Sequence, residues 1–76
     1  MPEVFKVYPG FNKKKLKIIT FYAKGGKENL EELRALVYKY KNKNIGIKMI
    51  GKISIMSHFG ELLMINKIPS ILIKTN

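Results

Sequence analysis

Bond-making chemistry has few residues to work with in this chain. There is one histidine, His58, no cysteine and no aspartate, and the acids are five glutamates. A histidine base needs a group that orients it, and only Glu61, three residues on, stands near His58 in the sequence. The lack of cysteine excludes a thiol nucleophile, a disulfide and a thiolate metal site, and the single histidine excludes a multi-histidine site. The hydroxyls of Ser54, Ser57 and Ser70 lie outside any G-x-S-x-G elbow. These residues describe a protein that is not an enzyme, takes no small-molecule substrate and needs no cofactor.

Positive charge is what the chain has in quantity. Fifteen Lys and Arg face the five glutamates, a net charge of +10 in 76 residues. Charge of that order implies an anionic partner. Every cation but Arg34 is a lysine, a point charge suited to phosphates rather than a bidentate reader of bases. The anionic partner is nucleic acid, an acidic protein or an anionic membrane, the alternative being a merely solvated lysine-rich surface; if it is RNA, recognition is by backbone and shape. Lys13, Lys14, Lys15 and Lys17 form the densest stretch, beside Phe11. Lys24 and Lys27 flank Gly25-Gly26, while Lys41 and Lys43, with Lys39, cluster further on. The expected phosphate contacts are Lys13, Lys14, Lys15, Lys17, Lys24, Lys27, Lys41 and Lys43. The tyrosines that interleave with them fall mostly on core faces by periodicity, so they read first as core.

The elements that must position these lysines make one small α/β domain over residues 1–76. Residues 1–15 supply an N-terminal strand, Glu3 to Tyr8, and a basic connection after the Pro9-Gly10 turn signal. Leu16 to Ala23 alternates with both faces largely apolar, the pattern of a central strand covered on both sides. Gly25-Gly26 breaks that strand; it lacks the spacing of a P-loop and reads as a turn needing positive φ. Leu30, Leu33, Val37 and Tyr40 then form the apolar stripe of a helix from about 28 to 41. Glutamates fill its first turns and lysines its last, as the helix dipole favours, and Asn29 with Glu32 is spaced for a capping box, the alternative being a start nearer Gly26. Ile45 to Ile50 reads as a second strand, which makes a right-handed βαβ unit with the two strands parallel. Beyond it, Gly60 to Asn66 and Pro69 to Lys74 read as a C-terminal β-hairpin turning at Asn66-Lys67. The alternative is a short helix from Ser57 to Ile65 leading into a strand after Pro69. No apolar run approaches the roughly 20 residues of a membrane span.

The order of short pieces carries a resemblance. Phe21-Tyr22-Ala23-Lys24-Gly25-Gly26, Ile50-Gly51-Lys52, Ser57-His58, Ile65-Asn66 and Ile73-Lys74-Thr75-Asn76 together resemble the thioredoxin-like family of mitochondrial ribosomal proteins. A small accessory subunit of respiratory complex I shares that family. The chain has Lys27-Glu28 where the family has Ser-Ser, Phe59 where it has proline, and Lys67 where it has the glycine of an Asn-Gly turn. Phe21-Tyr22-Ala23 and Ile68-Pro69-Ser70 also look like thioredoxins themselves, though without the redox cysteines. The resemblance implies a thioredoxin-like fold, with a small mixed sheet, a βαβ unit and a C-terminal hairpin. It further implies a structural constituent of a mitochondrial ribosome in the matrix, contacting rRNA and neighbouring ribosomal proteins. An accessory subunit of complex I, or a cysteine-less thioredoxin-like module of archaeal or viral origin, is the alternative.

Overall fold

The computed structural model describes residues 2–12 and 15–76. Its elements run β1 (Glu3–Tyr8), β2 (Lys17–Ala23), α1 (Lys27–Tyr40), β3 (Ile45–Gly51), α2 (His58–Ile65) and β4 (Ser70–Lys74). The four strands form one mixed sheet in the order β1-β4-β3-β2. β2 and β4 both lie parallel to β3, and β1 pairs antiparallel with β4. The expected β2-α1-β3 unit is present, and a second one, β3-α2-β4, follows it.

Two consecutive crossovers that step the same way across a sheet, each right-handed, place both helices on the same face. The packing agrees. Leu33 and Val37 of α1 and Phe59 and Leu63 of α2 share one buried core with Ile45, Ile47 and Met49 of β3 and Leu72 of β4. The Phe21 and Phe59 rings sit 6.5 Å apart within it. Leu33, Ile47, Met49, Leu63 and Leu72 are completely buried, at roughly 1.5–3 kcal/mol of transfer free energy for each large side chain.

Three expectations need correction. The C-terminal hairpin does not form: residues 58–65 are α2, and β4 pairs with β3 and β1 instead. A short apolar run reads equally well as a strand or as a buried helix segment. Here Phe59 and Leu63, four apart, put one helical face into the core, and Gly60 lets α2 lie on the Ile55 carbonyl where a Cβ would collide. Asn66-Lys67 does reverse the chain, but as a helix cap. Lys67 takes φ 54, the Lys67 N–H donates to the Met64 carbonyl, and the Ile68 N–H donates to the Leu63 carbonyl, which is a Schellman motif.

Second, β2 is an edge strand rather than a central one. Ile19, Phe21 and Ala23 face the helices, but Ile18, Thr20 and Tyr22 face outward, with Tyr22 61% exposed. Third, Asn29 is no capping-box residue. The helix opens at Lys27 after Gly26, which has φ 88 and no side-chain cap. Asn29 is buried and instead pins the turn to the strand. Its Oδ1 accepts from the N–H groups of Lys24 (2.6 Å) and Gly25 (3.3 Å), and its Nδ2 donates to the Tyr22 carbonyl (3.3 Å).

Candidate nucleic-acid interface

The topology gives the molecule two unlike ends. At one end lie the N-terminal ends of β2, β3 and β4 and the C-terminal ends of both helices. At the other lie the C-terminal strand ends and both helix N-termini. Lysines collect at the first end because several segments start or stop there. Lys15 and Lys17 lead into β2, Lys39, Lys41 and Lys43 run off α1 into β3, and Lys67 caps α2. Helix C-termini carry partial negative charge, which locally favours cations at these positions.

Tyr40 is the hub of the cluster. The Nζ atoms of Lys17, Lys39 and Lys43 stand 5.6, 5.4 and 6.0 Å from its ring centre, and Lys41 Nζ stands 5.9 Å from that of Tyr38. Cation–π contact holds such ammonium groups over a ring for roughly 0.5–1 kcal/mol each at an exposed site. Beside them a cavity of about 250 Å³ opens between the two helix ends, lined by Tyr40, Lys41, Asn42, Lys43, Asn66 and Lys67 among others. Among the described residues the one ion pair is Arg34 with Glu31, 3.3 Å apart on α1, so no lysine of the cluster is neutralised by a carboxylate.

The charge ledger is as uneven as the topology. Glu3, Glu28, Glu31, Glu32 and Glu61 all sit toward the opposite half, in β1 and the first turns of the helices. Lys24, Lys27, Lys52, Lys74 and Arg34 balance them there. The net +10 therefore falls to the ten remaining lysines. Six are the described lysines of the cluster, and Lys6 and Lys48 point out of the sheet face that the helices leave bare. Lys13 and Lys14 lie outside the described residues.

Of the expected phosphate contacts, the structure brings Lys17 and Lys43 together over Tyr40, with Lys41 over Tyr38 at the same end and Lys15 two residues from Lys17. Lys24 and Lys27 are set apart. They flank the turn at the opposite end, a full strand and a full helix away, roughly 20 Å at ~3.3 Å per strand residue. Lys67 was missed by sequence reasoning, and its signal was present: read as a helix, residues 58–65 place it at the cap beside the end of α1.

The opposite end has a cavity of about 350 Å³ between the helix N-termini, lined by Gly26, Lys27, Leu30, Ser57, His58 and Phe59. His58 makes no side-chain hydrogen bond to any described residue. Among the described residues no three His, Cys, Asp or Glu side chains are grouped to hold a metal ion, and no helix is long and apolar enough to cross a membrane. Comparison with protein-family models, with curated proteins and with solved structures gives no match to this chain.

Proposed function

We propose that this chain is a non-catalytic RNA-contacting component of a ribonucleoprotein particle, docked through its lysine-rich end. The observation that carries the reading is the convergence of Lys17, Lys39 and Lys43 on the Tyr40 ring from separate segments, with no acid among them. Like charges grouped around one ring repel one another, and an anionic backbone laid across them relieves that repulsion.

A mitochondrial ribosome is the specific particle that the resemblance suggests, with rRNA and ribosomal proteins as partners, and the thioredoxin-like assignment of the fold belongs to the same proposal. Its support is the strand ending in Phe21-Tyr22-Ala23 and the Gly25-Gly26 entry to α1. The paired strands it implies around Ile65-Asn66 are replaced by α2 and its cap, so the support rests on the first half of the chain. A second reading, a protein-interaction subunit such as an accessory subunit of complex I, is favoured by a different observation, the sheet face that no helix covers.

Sucrose-gradient sedimentation of the tagged full chain from gently lysed cells tests the particle. Co-sedimentation with rRNA, released by ribonuclease, is expected. Migration with respiratory subunits, or as free protein at low salt, overturns it.

A further inference from the structure

The sheet is apolar on both faces, and the helices cover one. On the bare face the register aligns side chains into rows across all four strands. Val4 pairs with Ile73, Ile73 with Ile50, and Ile50 with Tyr22, so the first row is apolar from edge to edge. Its outer members, Val4 and Tyr22, are 64% and 61% exposed. The next row reads Lys6, Ile71, Lys48, Thr20. Beyond it the connection after β1 folds back as a low wall: a Cβ on Gly46 would meet Ile18 at 3.0 Å and Phe11 at 3.2 Å. A cavity of about 520 Å³ lies against that wall, between Phe11, Lys6 and Ile71.

Size selects the kind of occupant. With strands ~4.8 Å apart and residues ~3.3 Å apart, the bare area measures roughly 14 by 17 Å. That is a few hundred Å², well short of the roughly 800 Å² per partner of a standard globular interface. One α-helix, roughly 10 Å across, fits it, and about ten residues at ~1.5 Å each span the apolar row. A second copy of the chain would also bring its own Lys6 and Lys48 against these two.

Charge selects the flanks. None of the five glutamates lies on this face: Glu3 points to the opposite side of the pleat from Val4, and the others are on the helices. Aliphatic side chains dominate and Tyr22 is the single exposed aromatic of the two rows, a poor platform for stacked bases.

We propose that the bare sheet face binds an acidic amphipathic helical segment of a partner protein. Its apolar stripe lies along Val4, Ile73, Ile50 and Tyr22, and its carboxylates face Lys6 and Lys48. This surface is separate from the lysine-rich end and does not depend on the RNA reading.

Fluorescence anisotropy of the full chain tests it, with a labelled synthetic helix of about four turns carrying leucines along one stripe and glutamates beside them. A second probe has lysines in place of the glutamates, and a third is a single-stranded oligouridine. The glutamate probe should bind, and Tyr22→Ser and Ile50→Thr should each weaken it about tenfold, as truncation of an interface anchor does. Lys48→Glu should weaken the glutamate probe about tenfold and strengthen the lysine probe. Lys41→Glu with Lys43→Glu should leave the Tyr22 and Ile50 effects intact. Circular dichroism confirms that each variant is folded. The proposal is overturned if the glutamate probe does not bind, if the lysine probe binds as well, or if only the lysine-rich end variants affect binding. It is also overturned if Tyr22→Ser abolishes oligouridine binding and spares the helix.

Discussion

The two ends of this sheet are built from the same elements and do opposite things with charge. In open α/β sheets a ligand usually sits beyond the C-terminal ends of the parallel strands, where helix N-termini point. This molecule has a cavity there, between Gly26, Ser57 and His58, but its cations are balanced by glutamates and its histidine stands alone. Among the described residues, most of the uncompensated lysines are at the other end, around Tyr40, where the helices finish. The usual ligand end of such a sheet is set by backbone geometry, whereas the end proposed to meet phosphates is set by where unpaired charge collects. In this chain the two do not coincide.

Substitutions at each end separate the two. Leu63→Ala empties a fully buried site under α2 and should cost roughly 2–5 kcal/mol of stability by urea denaturation. Because α2 carries both Lys67 and His58's end of the molecule, both ends should loosen together. Asn29→Leu leaves the Lys24 and Gly25 N–H groups without their acceptor and should cost about 1–3 kcal/mol. Below its melting temperature this variant should bind RNA as the parent does, because the damage is confined to the opposite end. Tyr40→Leu keeps apolar bulk but removes the ring that gathers three lysines; RNA affinity should fall about threefold, from roughly 0.5–1 kcal/mol of lost cation–π contact. Lys24→Gln with Lys27→Gln should change RNA affinity by less than about threefold, since few phosphate contacts are lost. A loss from that pair equal to one at the Tyr40 cluster would dissolve the distinction between the ends.

Much of the framework was legible before the structure was known, and the misses have physical causes. β1 runs over the expected residues, α1 is displaced by one residue at both ends and β3 runs one residue longer, because alternation, a long apolar stripe and glycine breaks are strong local signals. β2 reads as a central strand because both its faces are apolar. Local pattern cannot tell a face covered by this chain from one left bare, since coverage follows from how many helices cross and on which side. The α2 segment reads as a strand or, in the alternative that matches the structure, as a short helix, because eight residues with a short apolar run carry no decisive period. The lysine cluster was partly legible for the same reasons: Lys41 and Lys43 follow from the end of α1, whereas Lys67 needed α2. Lys24 and Lys27 were grouped with the rest by composition alone, and only the length of β2 and α1 separates them.

We propose that charge at the Tyr40 end, rather than net charge, holds RNA. It is tested most directly by the salt dependence of binding to a labelled structured RNA, comparing the parent with a Lys17→Glu, Lys41→Glu, Lys43→Glu variant. For the parent, affinity should fall about a hundredfold between roughly 50 and 200 mM salt, the slope of four or so phosphate contacts. The triple variant should bind at least about a hundredfold more weakly at the lower salt with a much flatter slope, while the Lys24 and Lys27 pair keeps the parent slope. A parent affinity indifferent to salt, or a triple variant with an unchanged slope, would contradict the account.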